Sequence, residues 1–153
     1  MVLDGGSWKP GTDELLRHVD IAICSADFLP PGCSSEEEVI GFLSRRGVGK
    51  IAITLGAEAL RFVSGVRSGT IEVPQVDAVD TMGGGDIFHG AFCFYSTKDY
   101  EFEAALKEAA RIASDSCRYR GTRRWMEGAS DSASTSSALD LTPHGKLPNK
   151  LLS

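Results

Sequence analysis

Asp80-Thr81-Met82-Gly83-Gly84-Gly85-Asp86, followed by the apolar run Ile87 to Tyr95, is the stretch on which the reading of this chain turns. Three consecutive glycines allow positive φ and let a backbone come close to a ligand. The run after them is helical in pattern, which puts Gly83, Gly84 and Gly85 at a helix N-terminus. Unpaired N–H groups and the positive end of the helix dipole favour a phosphate there. Asp86 then has two readings. It is a first-turn carboxylate that suits the dipole, or a base beside a phosphoryl group in transfer.

Downstream, the spacing predicts a helix from Gly84 to about Ser96, with Phe88, Ala91, Phe92 and Tyr95 on its core face. A second helix runs from about Glu101 to Tyr119, carrying Phe102, Ala105, Leu106, Ala109, Ile112 and Ala113 on one side. Upstream, Val2-Leu3 reads as a strand ending at the turn Asp4-Gly5-Gly6. Thr12 is an N-cap candidate for a short helix to about His18 that turns Leu15 and Leu16 inward. Val19 to Cys24 is a buried strand and Pro30-Pro31-Gly32 a loop. Ser35 and Glu38 have capping-box spacing before Val39, Ile40, Phe42 and Leu43. Lys50 to Leu55 and Leu60 to Ser64 form a hairpin around Gly56 to Ala59, and Gly69 to Pro74 is a third extended piece. This alternation predicts an α/β sandwich.

The 153 residues suit one domain, and 42% hydrophobic with 24% charged residues is an ordinary globular composition. A net charge of −5 argues against a nucleic-acid surface and for a cytoplasmic protein, despite the local cluster Arg118, Arg120, Arg123 and Arg124. No apolar run reaches the roughly 20 residues that span a bilayer, so no membrane partner is expected. Cys24, Cys33, Cys93 and Cys117 form no Cys-x-x-Cys pair and read as reduced, mostly buried thiols. The three histidines have no ligand spacing for zinc. Glu36, Glu37 and Glu38 are a charged first turn or a metal-binding run. Residues 126–153, rich in Ser, Ala, Gly and Asp at their start, read as a flexible tail behind a domain of residues 1–125.

Two common phosphate signatures fail. Gly49-Lys50 resembles the end of a Walker A loop, but Ile51 stands where a hydroxyl should hold magnesium. Gly83 and Gly85 begin a dinucleotide fingerprint, but Phe88 occupies its close-packing glycine position. The pattern Asp-Thr-x-Gly-x-Gly-Asp, continued through Ile87-Phe88-His89-Gly90-Ala91-Phe92, instead resembles the signature of the ribokinase or PfkB family of sugar kinases. Gly84 replaces the usual alanine. Ile53-Thr54-Leu55-Gly56 resembles that family's nucleotide-contacting strand end, and Val19 to Leu43 resembles its ketohexokinase-related members.

The resemblance covers residues 1–125 and implies a ribokinase-like three-layer α/β/α sandwich, truncated on its N-terminal side. It implies ATP, Mg2+ and a sugar or related alcohol as ligands. Asp86 would be the base, the Gly83, Gly84 and Gly85 amides the anion hole, and Thr54 and Gly56 nucleotide contacts. Asp80, with carbonyls near Ser116, Tyr119 and Gly121, would hold a monovalent cation, usually K+; capping its own loop is the other reading of Asp80. The family's Asn-x-x-Glu magnesium motif is replaced by Ser25-Ala26-Asp27-Phe28, leaving Asp27 or Glu36–Glu38 to act through water. Family enzymes run to about 300 residues, with the sugar-binding part in the half that has no counterpart here. Weak turnover by this chain alone, and pairing of two copies through an exposed sheet edge, are further expectations. A nucleotide-binding interaction module or a truncated product is the alternative.

Overall fold

The computed structural model describes residues 1–126. Almost all of the expected tail, residues 127–153, lies outside the described residues. A five-stranded sheet in the order β1-β2-β3-β4-β5 forms the middle layer: β1 Val2–Gly5, β2 Ile21–Ser25, β3 Lys50–Thr54, β4 Ala59–Ser64 and β5 Arg67–Glu72. The first three strands are parallel, and β4 and β5 add on as antiparallel neighbours. Helix α1 (Thr12–Leu16) connects β1 to β2, and α2 (Glu36–Arg45) connects β2 to β3. Successive crossovers moving one way along a sheet, each right-handed, put both helices on the same face. Helices α3 (Gly84–Ser96) and α4 (Phe102–Ser116) follow β5 and cover the opposite face.

The period-2 alternation of strand side chains divides the core. Ile23 of β2 and Ala52 of β3 join Leu60, Phe62, Phe88, Phe92 and Leu106 under α3 and α4. Ala22, Cys24, Ile51 and Ile53 point the other way, onto Leu16, Val39, Phe42 and Leu43 of α1 and α2. Phe92, fully buried, meets Phe102 edge-on at 5.7 Å between ring centres, which ties α3 to α4. This is the three-layer α/β/α arrangement.

Local differences from the sequence reading have physical causes. Thr12 is the first residue of α1; the N-cap is Gly11, whose φ of 87° suits only glycine without strain. Five residues of helix present little more than one turn, so Leu16 is buried while Leu15 is half exposed. Strand β2 begins at Ile21, two residues late, and Val19 packs in the α1 side of the core. Strand β5 buries only Ile71, as an edge strand does. Helix α4 starts at Phe102 and ends at Ser116, short of Tyr119, because residues 117–121 turn back towards the glycine loop. At the start of α2, the Ser35 hydroxyl accepts from the Glu38 N–H, but the Glu38 carboxylate reaches back to the N–H and hydroxyl of Ser34. The capping box is displaced by one residue. Glu36 and Glu37 both pair with Arg61 of β4, so all three glutamates of this turn are engaged in structural contacts. The four cysteines are free, but only Cys24 is fully buried, and Cys93 is exposed.

Candidate active site

The C-terminal ends of parallel strands are where open α/β sheets place ligands, and the ends of β1, β2 and β3 here open onto one cavity of about 460 Å³. Asp4 and Gly6 follow from β1, Cys24 and Ser25 from β2, and Thr54 and Gly56 from β3. Gly84, Gly85, Asp86 and His89, from the first two turns of α3, form the facing wall. The remainder is mostly apolar: Leu60, Val73 to Val76 and Ala78 after β5, and Ala110, Ala113 and Cys117 at and just after the end of α4. Of the residues singled out in the sequence, Thr54, Gly56, Gly84, Gly85 and Asp86 therefore share this cavity. Gly83, Asp80, Ser116, Tyr119 and Gly121 do not line it.

Gly83 turns the chain into α3. Its φ is 76°, and a Cβ there would lie 2.8 Å from the Thr122 methyl group. Glycine is required twice over, by conformation and by contact. The turn also redistributes the amides. The Gly84 N–H donates to the Thr81 carbonyl at 3.2 Å and is spent on closing the turn. No backbone acceptor is assigned among the described residues to the N–H of Gly85 or Asp86. The Gly83 N–H likewise has none assigned there, but Gly83 does not line the cavity, so the free amides that border it are those of Gly85 and Asp86. A Cβ at Gly84 would meet Cys117 Sγ at 3.7 Å, an ordinary contact, so the alanine more usual at this position would fit.

Asp80 stands behind the turn. Its Oδ1 accepts from the Met82 N–H and its Oδ2 from the Gly121 N–H, both at 2.9 Å, and the N–H groups of Val79 and Asp80 both donate to the Cys117 carbonyl. The carboxylate clasps the glycine loop to the loop after α4. These amide bonds, first that of Met82 and then that of Gly121, hold its pKa below the usual aspartate value. A depressed carboxylate contributes stability that is present above its unfolded pKa of 3.8 and lost as pH falls through the lower folded value. Protection of the Met82 and Gly121 amides against hydrogen exchange is therefore expected to be full at pH 5 to 7 and to collapse in acid below 3.8. Asp80→Asn, which keeps one acceptor oxygen, should retain only part of that protection at any pH. Ser116 is buried, its hydroxyl donating to the Ala113 carbonyl and its own carbonyl accepting from the Tyr119 N–H.

Asp4, Cys24 and His89 are among the lining groups that were not singled out in the sequence as site residues. His89 Nε2 lies 3.1 Å from Asp4 Oδ1, its side chain only 17% exposed. Burial pulls the imidazole pKa below its usual value, against the attraction of Asp4 and Asp86 and a hydrogen bond to the Ile23 backbone. Cys24 is pushed up to about 12, chiefly by burial and secondarily by Asp4, so its thiol is no nucleophile at neutral pH. Asp4 had read as part of a turn and His89 as one residue of an apolar run. Their pairing depends on the sheet and leaves no local signal in the sequence.

No group of three or more His, Cys, Asp or Glu side chains among the described residues is arranged to hold a metal. Glu36 to Glu38, spent on Arg61 and Ser34, do not fit that role. No helix among the described residues is long and apolar enough to cross a membrane.

Comparison with known proteins gives this geometry a context. A deoxyribokinase of Salmonella typhi is 30% identical over 125 residues, covering 71% of this chain and 40% of its own length. A ribokinase structure from Thermotoga maritima superposes with a TM-score of 0.75 at 19% identity, over 81% of this chain and 44% of that one. The Arabidopsis thaliana ribokinase complexed with ribose and ATP gives 0.66 at 24% identity, over 81% and 43%. The chain spans less than half the length of each of these relatives. The model of the pfkB family carbohydrate kinases matches residues 1–127, the span that holds the sheet, the glycine turn and Asp86, and the chain belongs to that family.

Proposed function

We propose that this chain carries the nucleotide-binding and phosphoryl-transfer part of an ATP-dependent carbohydrate kinase, with Asp86 as the base that takes the proton of a sugar hydroxyl as it attacks the γ-phosphate. One observation carries the reading: Asp86 and the free amides of Gly85 and Asp86 stand at the N-terminus of a 13-residue helix and face the same cavity as the end of β3. Phosphoryl transfer depends mainly on positioning and on donors preorganised for the developing charge. In this reading the γ-phosphate rests on the α3 amides, Gly84 forming the floor behind them. Thr54 and Gly56 flank the nucleotide, and the apolar side lined by Leu60, Val73, Val76 and Ala110 takes the base.

Magnesium would arrive on the nucleotide, held mainly by phosphate oxygens and water as is usual for this ion, and would supply charge neutralisation. Asp80 fits a monovalent cation such as K+. Each of its oxygens accepts one amide and keeps a further acceptor site, and backbone carbonyls near Ser116, Tyr119 and Gly121 would be the other oxygen ligands. The acceptor is a small sugar or related alcohol, and the setting is the cytoplasm.

The chain's match to less than half of each relative favours a second reading, nucleotide binding with little or no turnover. A coupled assay for ADP release with ribose, deoxyribose, fructose and nucleosides, run beside calorimetric titration of Mg·ATP, separates the two. Sugar-dependent ADP release supports the kinase reading. ATP binding without it supports the second reading, and absence of ATP binding sinks both.

A further inference from the structure

The catalytic turn of α3 is anchored from one side by Asp80, but Asp86 also needs support on the side that faces the strand ends. Among the described residues, His89 is the one histidine that lines the cavity. His89, one turn beyond Asp86, reaches across the mouth of the cavity to Asp4 at the end of β1. Its other hydrogen-bonding neighbour is the backbone of Ile23 in β2. Two strands and the first turns of α3 thus meet on one imidazole. The adjoining chain has little freedom: at Gly5 a Cβ would lie 2.6 Å from Cys24 Sγ, so β1 and β2 are as close there as backbone and side chain allow.

We propose that His89 is a positioning residue, which through its bond to Asp4 sets Asp86 and the Gly85 and Asp86 amides against the ends of β1 and β2, and does so fully only as the imidazolium. The chemistry follows from the partners. The Asp4 carboxylate and the Ile23 carbonyl are both acceptors. A neutral imidazole has a single N–H to divide between them, whereas the charged ring has one for each. The charged groups facing the ring are Asp4 from β1 and Asp86 from α3 itself; Cys24 of β2 stays a neutral thiol throughout the relevant range. The reasoning rests on the kinase reading for what Asp86 does, but not for the geometry of the turn.

The sign follows from the lowered pKa. Burial outweighs the carboxylates, so the ring loses its proton below the ordinary 6.5, and the double hold is present below the folded pKa and released as pH rises through it. The test uses the 153-residue chain, labelled with ¹⁵N, its imidazole and amide resonances followed from pH 5 to 8. The Gly85 and Asp86 amides are expected to shift with the same midpoint as the His89 ring in the wild type. In His89→Gln, whose amide donates to Asp4 at every pH, they should not shift over this interval. Affinity for Mg·ATP should fall about threefold to tenfold through that midpoint, the size expected when part of a charge-assisted hydrogen bond is lost. The same affinity in His89→Gln should stay flat across the interval.

Gly85 and Asp86 resonances that ignore the His89 midpoint, or that titrate identically in His89→Gln, overturn the inference. Should His89→Gln fail to fold, Asp4→Asn serves as the second variant, and it must displace the His89 midpoint downward by removing a carboxylate. An unmoved midpoint counts against the proposal. If the amides follow the histidine but Mg·ATP does not bind, the positioning holds and the kinase reading fails.

Discussion

Asp86→Asn is expected to lower sugar-dependent ADP release by about 10²–10⁴-fold, the usual contribution of a positioned base. Affinity for Mg·ATP should stay within about threefold of the wild type, because asparagine leaves the α3 amides in place. The size of the effect separates the two roles that Asp86 has in the sequence. A carboxylate serving only the helix dipole is worth about 0.3–1 kcal/mol of stability and nothing in turnover. Asparagine has nearly the same shape and keeps an acceptor oxygen, so a large loss in rate with unchanged unfolding and unchanged nucleotide binding leaves proton removal as the missing function. The coupled assay and calorimetry of the wild type and the variant provide the comparison. Equal rates in the two proteins would reduce Asp86 to a first-turn acid.

Gly83→Ala is the second large effect, and it acts through conformation. A non-glycine residue held at φ 76° costs about 1–3 kcal/mol. The added Cβ would also press on the Thr122 methyl group at 2.8 Å, a contact that the loop after α4 must yield to. The turn cannot relax freely, since Asp80 clasps both loops and the Gly84 N–H closes on Thr81. The expected outcome is a fall in Mg·ATP affinity of about tenfold or more, with unfolding destabilised by a similar 1–3 kcal/mol. The double variant Gly83→Ala/Thr122→Ser removes the methyl group and should recover the part due to contact, but not the part due to φ. Full recovery would mean that the positive φ carries no cost here, and no change in either variant would remove Gly83 from the site.

The sequence showed most where local pattern and tertiary role coincide. Helix α3 could be read from Gly84 to Ser96 because glycines mark its start and Phe88 and Phe92 recur on the face that becomes core. Strands β2 and β3 were visible as apolar runs because parallel strands are covered on both faces. Short elements were harder. Nothing in Leu15-Leu16 says which one a five-residue helix will bury. The displaced box at Ser34 and Ser35 shows side chains competing for amides one position apart, whereas Gly11 starts α1 through its backbone conformation alone.

The site was legible to the extent that it lies within one motif. Asp86, Gly84 and Gly85 stand together in the chain and in the cavity. That Gly84 spends its N–H on Thr81, while Gly85 and Asp86 keep theirs free beside the cavity, follows from a turn geometry that no residue pattern encodes. The clasp from Asp80 to Gly121 spans 41 positions, and backbone acceptors and donors leave no trace in side-chain identity. The same holds for Asp4 and His89, which meet only because the β1–β2 register puts Asp4 beside Ile23 while α3 packs across that strand end.

The central claim is that the turn into α3 is the phosphate site of a nucleotide pocket completed by the end of β3. Titrating Mg·ATP into the ¹⁵N-labelled chain and following every assigned amide tests it most directly. The account predicts saturable shifts at Gly85, Asp86 and Gly56, largest at the two α3 amides, with the saturation midpoint raised about tenfold or more in Gly83→Ala. Binding that moves resonances elsewhere while Gly85 and Asp86 stay fixed, or no binding at all by a folded chain, would contradict it.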